Sequence, residues 1–417
     1  MSNKESLELR PWRQGQPVHR KLSYPARCGL YHELLTPAGR YHLGLDGFPK
    51  FFQGSRSDWP HPQEWLKITR NADPVYYSTQ GYSDVYALTG EYYYPLPAYP
   101  TNALYVPDAG QRAAMDRFVS IHREMTGLAA VCRNGPHREG RILEMFSAWT
   151  WEGMTAFSRR LHRIIQAQVP VLPPDCRHVD YEVLPLVIAE GCQANCGFCR
   201  IKSAAEFRLR TPAEIRAQLA GLAALFGDEL ANYRGVFLGQ HDALAAGGAV
   251  IEEAVASVLE LLDPKERHVR GLEVFLFGST GSFLDLDDSG LARLQALPCR
   301  LFVNIGLESF DQGTLEYLRK PLRADENRAA FARMLAVNRS GGSLSVTANL
   351  LLGDPLAPGH LRSLQAVLSS PQHPHPETVV YLSPMLGAYQ PASILGTVRM
   401  IKNIAKVRTY PYMIHRL

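Results

Sequence analysis

The residues best equipped for chemistry in this sequence are Cys192, Cys196 and Cys199, in the run Gly191-Cys192-Gln193-Ala194-Asn195-Cys196-Gly197-Phe198-Cys199-Arg200. Only seven cysteines occur in 417 residues, so three at offsets of four and seven mark a site rather than a chance grouping. Cys28, Cys132, Cys176 and Cys299 are isolated and read as buried structural thiols. Three thiolates suit an iron-sulfur cluster but cannot complete its four-cysteine shell, so one iron keeps a coordination position for something that is not protein. The competing reading is a zinc knuckle or an inert cluster; zinc sites usually show paired Cys-x2-Cys or a following His-x3-5-His, and neither is present.

The elements that must carry this loop are legible downstream. From Val183 onward six short β-rich runs alternate with helical ones: Val183 to Ala189, Gly235 to Gly239, Leu272 to Gly278, Leu301 to Leu307, Leu344 to Leu352, and Val379 to Ser383. Near-continuous apolar runs of this kind are buried on both faces, as in parallel sheets covered by helices. Thr211-Pro212-Ala213-Glu214 is a capping box with proline at the first helical position, and Ile215, Leu219, Leu222 and Phe226 follow on one stripe. Ile251, Val255, Val258 and Leu262 mark the next helix, Phe331 and Leu335 another, and Leu361, Leu364 and Leu368 the last. Alternating βα units with right-handed crossovers give a parallel barrel or part of one.

Cys-x3-Cys-x2-Cys with an aromatic before the last cysteine, here Phe198, resembles the cluster-binding motif of the radical S-adenosylmethionine (SAM) superfamily. The resemblance implies a single [4Fe-4S] cluster on Cys192, Cys196 and Cys199, whose fourth iron chelates the amino and carboxylate groups of SAM. It implies reductive cleavage of SAM to a 5′-deoxyadenosyl radical that takes hydrogen from an organic small-molecule substrate, with an electron donor such as flavodoxin or ferredoxin. The implied fold class is α/β, a partial parallel (β/α)6 TIM-like barrel, here with an aromatic-rich α+β N-terminal domain.

In such barrels the chemistry sits at the C-terminal ends of the strands. The second run ends Gly239-Gln240-His241-Asp242, where the family commonly has Gly-Gly-Glu for the SAM amino group; either Gln240 or Asp242 substitutes. The fourth ends Gly306-Leu307-Glu308-Ser309-Phe310 and resembles the family's Gly-x-Glu-Ser stretch, which implies cofactor contacts for Glu308 and Ser309. The fifth, Asn349 to Pro355, resembles the glycine-ended strand beside the adenine and adds Asn349 and Gly353. The set implied to bind the cofactor is therefore Phe198, Gly239, Gln240, Asp242, Glu308, Ser309, Asn349 and Gly353, and no catalytic residue is assigned. Ser279 and Ser282 read as turn formers, and Arg200, Arg208 and Arg210 as anion holders or a solvated helix face. Leu318-Arg319-Lys320-Pro321 resembles a stretch of the coproporphyrinogen dehydrogenase group, whose extra cysteine is Ile201 here.

Residues 1–182 differ in composition from the barrel. All five tryptophans lie there, with nine of nineteen tyrosines between Tyr76 and Tyr105. Asp46-Gly47 between Tyr41 and Phe51 signals a hairpin, and the Pro-rich stretch Val169 to Pro174 signals the boundary. Large rigid aromatics make a dry wall, so the domain is expected to cap the substrate; the bland reading is that they form its own core. Residues 386–417 read as a C-terminal helix and tail, too short for an RNA-binding barrel, and with no cysteine after Cys299 no auxiliary-cluster domain is expected. A net charge of +4 from 44 basic and 40 acidic residues argues against a nucleic-acid binder while suiting an anionic ligand. The substrate is expected to have an apolar or planar portion. No leader or apolar run of about 18 residues is present, so the reading is a cytoplasmic, oxygen-sensitive protein with no membrane span. An iron-sulfur redox sensor or electron carrier without SAM chemistry, and an RNA-modifying radical SAM enzyme, are the alternatives.

Overall fold

The structure is a computed structural model that describes all residues except 1–6, 19–27, 56–63, 69, 71–74, 79–90, 94–103, 106–108, 133–136, 170, 180, 195, 200–205, 263–266, 355, 371–374, 376–377, 386–390, 413 and 417. Tyr82, Tyr86, Tyr94 and Tyr99 of the tyrosine cluster, Arg200 and Pro355 therefore lie outside the described residues. No described helix is long and apolar enough to cross a membrane.

The first part of the chain builds an antiparallel meander: β1 (Glu8–Gln14), β2 (Leu30–Thr36), β3 (Gly39–Leu43), β4 (Pro49–Gly54), β5 (Glu64–Lys67), β6 (Val75–Ser78) and β7 (Glu91–Tyr93), with β8 (Leu104–Tyr105) farther along the same sheet. The expected hairpin joins β3 to β4, closed by Gly44 N–H donating to the Phe48 carbonyl at 2.8 Å, with Gly47 at φ +79°. Helices α1 (Ala109–Cys132), α2 (His137–Ala148) and α3 (Trp151–Ile165) follow. Tyr41, Phe52, Phe118, Phe146 and His122 interlock between sheet and helices, so the aromatics described here form the core of their own domain.

Seven parallel strands then form an open sheet in the order β17-β16-β15-β14-β13-β12-β9. They are β9 (Val183–Leu186), β12 (Gly235–Leu238), β13 (Glu273–Ser279), β14 (Arg300–Glu308), β15 (Leu344–Leu352), β16 (Val379–Pro384) and β17 (Arg408–Pro411), while β10 (Ala189–Glu190) and β11 (Arg208–Leu209) make a separate small hairpin. Six of the seven match the expected runs. The seventh corrects the count of six: Arg408-Thr409-Tyr410-Pro411 is too short and too polar to advertise itself, yet it pairs in register with Val379 to Leu382. The helices are α4 (Pro212–Phe226), α5 (Gly248–Leu261), α6 (Thr280–Asp285), α7 (Asp288–Gln295), α8 (Gln312–Tyr317), α9 (Ala324–Ser340), α10 (Pro358–Leu368) and α11 (Pro391–Ile404). α4 carries the expected capping box, and Ile215, Leu219, Leu222 and Phe226 are its buried stripe.

The N-terminal domain docks on the end of the barrel where strands begin. Asn232, three residues before β12, takes Leu30 N–H at 2.8 Å and donates to the Leu30 carbonyl at 2.9 Å. Buried Glu229 accepts from Leu45 N–H and pairs with Lys50, which also reaches Glu182 just before β9. Arg270 N–H, ahead of β13, donates to the Pro17 carbonyl. The lower lumen is plugged by the turn Pro174–Val179, whose Asp175 accepts from Thr347 and Tyr381. These contacts lie opposite the cysteine loop. The far edge of the sheet reaches the other way: β18 (Ile414–Arg416) begins just after β17 ends and pairs with β7 and β8.

Candidate functional site

The cysteine loop leaves the end of β9 and is closed at its neck by β10 pairing with β11. Glu190, next to Gly191, accepts from Arg208 Nε and Arg210 Nη2, both at 2.7 Å, and buried Arg210 reaches back to Gln166 Oε1 at 2.9 Å. These two arginines are therefore engaged by protein groups that latch the loop. Inside it, Gly197 N–H donates to the Leu318 carbonyl at 2.9 Å, and a Cβ at position 197 would meet Arg319 Cδ at 2.8 Å, so the close approach requires glycine. Phe198 packs against Leu318, Leu351 and Leu356 at the end of β15.

Cys196 is buried while Cys192 and Cys199 are half-buried, and no disulfide joins them. Burial pushes the Cys196 thiol up to about 11; Lys320 opposes that, while Glu308, Cys192 and Cys199 add to it. The three thiols and this carboxylate-ammonium pair thus share one electrostatic environment. Among the described residues, no three His, Cys, Asp or Glu side chains converge as they would around one metal ion.

Glu308 has the most demanding backbone of the site. Ser309 N–H donates to the Leu307 carbonyl at 2.8 Å across it, and its φ is +64°, which makes Leu307-Glu308-Ser309 a γ-turn of the positive-φ kind. The pairing of β14 with β15 shifts register there. Conformations of this sort cost about 1–3 kcal/mol and persist where the surroundings over-determine them. Lys320 Nζ donates to the Gly306 carbonyl at 2.5 Å and to Glu308 Oε1 at 3.3 Å. Asn327 donates to the Leu307 and Ser309 carbonyls, both at 2.7 Å. Burial raises the Glu308 carboxyl above its usual range against the pull of Lys320, and among the described residues its buried Oε2 has no hydrogen-bond partner. A buried acceptor left open at a strand end is the kind of group a polar ligand satisfies.

The other expected residues divide. Asp242 is buried and accepts from Ser279 N–H at 3.0 Å and Ser282 Oγ at 2.7 Å; it faces a cleft of about 730 Å³ shared with Gln193 and Ala194 of the cysteine loop. Gln240 instead donates to the Gln168 carbonyl at 2.7 Å, tying the strand end to the linker. Gly239, at φ +88° with Ala243 Cβ 2.5 Å from where its own would sit, permits the turn between them. Ser279 and Ser282 form a capping box on α6, as turn formers should. Asn349 Oδ1 accepts from Ser383 Oγ at 2.8 Å, and Gly353 opens the turn after β15. Ser309 is fully buried: its hydroxyl donates to His360 Nδ1 at 2.8 Å, His360 donates from Nε2 to the Leu351 carbonyl, and Asp311 N–H donates back. The structure therefore brings Glu308 and Asp242 beside the cysteine loop that carries Phe198, and turns Ser309 and Gln240 to protein partners.

Lys320, Asn327 and His360 were not identified as site residues from sequence. Lys320 lies in the Leu318 to Pro321 stretch, where the sequence assigns it no role, and a buried Asn or His on an amphipathic helix has no local pattern to betray it.

No protein-family model and no curated protein matches the chain. Among solved structures it is similar to the radical SAM methyltransferase TsrM from Kitasatospora setae, at 15% identity over 50% of this chain and 37% of the other, with TM-score 0.34. It is also similar to a radical SAM methyltransferase from Sphaerobacter thermophilus, at 15% identity over 58% and 68%, TM-score 0.36, and to Streptococcus suis SuiB, at 10% over 84% and 71%, TM-score 0.36. The chain spans little more than a third of the first of these. The fold assignment rests on the strand order and register above.

Proposed function

We propose that the chain is a radical SAM enzyme with one [4Fe-4S] cluster held by Cys192, Cys196 and Cys199. The observation that carries this reading is the buried, strained Glu308 with its open Oε2, paired with Lys320 and in the electrostatic environment of the Cys196 thiol at the C-terminal ends of parallel strands. When bound, such a cluster supplies the electron that cleaves SAM. The chain's own residues bind and orient. Glu308 takes polar hydrogens of SAM, Asp242 rather than Gln240 takes its amino group, and Phe198 with Leu351 and Leu356 offers an apolar wall. The cleft beside Asp242 receives the organic substrate. Asp242, Asp285 and Asp287 outnumber Arg293 there, and Arg293 pairs with Glu252, so a neutral or cationic substrate suits it better than an anionic one. The edge formed by β7, β18 and β8 closes the mouth against water. An external flavodoxin- or ferredoxin-type donor supplies reducing equivalents.

The test is anaerobic reconstitution followed by reduction with dithionite in the presence of SAM. About four irons and four sulfides per chain and slow formation of 5′-deoxyadenosine are expected. A loaded, reduced protein that never forms 5′-deoxyadenosine refutes the reading.

A further inference from the structure

We propose that Asn327 is a positioning residue that holds Glu308 in its γ-turn and thereby sets the affinity for SAM, a proposal that rests on the reading of Glu308 given above. Asn327 lies on α9, wholly buried, and touches nothing in the cleft. Its Nδ2 donates to the Leu307 and Ser309 carbonyls, both at 2.7 Å, which are the carbonyls on either side of Glu308. One amide nitrogen thus spans the turn and draws its two ends together. The amide is held in that sense by Thr280, whose buried hydroxyl donates to Asn327 Oδ1 at 2.7 Å, so the oxygen is committed and the nitrogen must face the turn.

The turn needs this. Its only internal bond runs from Ser309 N–H to the Leu307 carbonyl, and a non-glycine residue at φ +64° is disfavoured on its own. Without Nδ2 the Leu307 and Ser309 carbonyls, in the Leu307–Glu308 and Ser309–Phe310 peptides that bracket the turn, lose their shared donor, and the turn is released to relax toward the regular extended strand. In an extended strand successive side chains point to opposite faces, so relaxation redirects the Glu308 carboxylate. Lys320 constrains the Gly306 carbonyl and Oε1 but neither the Leu307 nor the Ser309 carbonyl that Asn327 holds.

The experiment is a double-mutant cycle read by equilibrium SAM binding to anaerobically reconstituted protein of matched iron content, with urea midpoints measured in parallel. The proteins are wild type, Asn327→Ala, Glu308→Ala and the double variant. Asn327→Ala should weaken SAM binding about tenfold when Glu308 is present and less than about twofold in the Glu308→Ala background, because it acts only through that carboxylate. Equal losses in both backgrounds make Asn327 a general structural residue and overturn the proposal while leaving Glu308 as a SAM contact. Unchanged affinity on Glu308→Ala alone overturns the reading of Glu308, and the clamp with it. Thr280→Val, which preserves shape and removes the bond orienting the amide together with a longer one of 3.3 Å to the Gly306 carbonyl, which Lys320 still holds, repeats the cycle if Asn327→Ala does not fold. It should weaken binding about threefold with Glu308 and not without it; no difference between backgrounds again overturns the clamp.

Discussion

Replacing Glu308 by alanine and by glycine separates what the carboxylate does from what the backbone bears. Both variants remove the same carboxyl group, leave Lys320 Nζ with the Gly306 carbonyl, and leave Asn327 across the turn. They differ only at Cβ. At φ +64° an L side chain costs about 1–2 kcal/mol, which alanine retains and glycine sheds. Glycine gives back about 0.4–1 kcal/mol through the greater freedom of the unfolded chain. Glu308→Gly should therefore be more stable than Glu308→Ala by roughly 0.5–1 kcal/mol, a melting difference of about 1 °C for a chain of this length, so the urea midpoint is the deciding reading. The assay is anaerobic urea and thermal unfolding of the two reconstituted variants at matched iron content, with SAM binding measured on the same samples. Both should lose SAM affinity alike. If Glu308→Ala is as stable as Glu308→Gly or more so, the strained turn is not a property of this protein, and the argument that the fold sustains strain to present this carboxylate fails.

Alanine at Cys192, Cys196 and Cys199 together should abolish cluster loading and 5′-deoxyadenosine formation, read by iron analysis and chromatography; full iron content would move the site elsewhere. Arg210→Leu should loosen the cysteine loop by releasing Glu190 and Gln166, lowering cluster retention during gel filtration while the far-ultraviolet spectrum is kept. Glu229→Ala leaves Lys50 with Glu182 as its carboxylate and Leu45 N–H without its acceptor, and should destabilise the seam between the N-terminal domain and the barrel by about 1–3 kcal/mol in urea unfolding. The same seam should be acid-sensitive: burial raises the Asp46 carboxyl, but the bidentate Arg70 guanidinium outweighs it and holds Asp46 below the usual range. A depressed carboxyl contributes stability that is present above its unfolded value near about 4 and lost as pH falls through the folded one. Arg70→Met should remove that part of the acid dependence, measured as urea midpoints from pH 6 to 3.

Where a residue type and a fixed local offset carry the physics, the sequence was legible. The Thr211-Pro212-Ala213-Glu214 cap, the stripe of α4, the β3–β4 hairpin and six parallel strands need only neighbours within a few residues. β17 escaped because four residues pairing with a distant strand leave no local period. The docking of the N-terminal domain also escaped, since Asn232 meets Leu30 across 202 residues and Glu229 meets Leu45 across 184. Mild basicity suggested an anionic ligand, but whole-chain charge does not report the sign inside one cleft, where Asp242, Asp285 and Asp287 gather.

By itself the sequence determined the chemistry on offer: three thiols on one loop, an acid closing the fourth apolar run, glycines where turns must be tight. Only the tertiary structure decided which of these groups meet. It set Glu308 in a positive-φ turn between two carbonyls that Asn327 spans, gave it Lys320 from the segment that also touches the cysteine loop, and turned Ser309 away to His360. The physical reason is that donors and acceptors are chosen by proximity after folding, and proximity here joins elements 12 to 51 residues apart, a separation across which residue identity alone sets no direction.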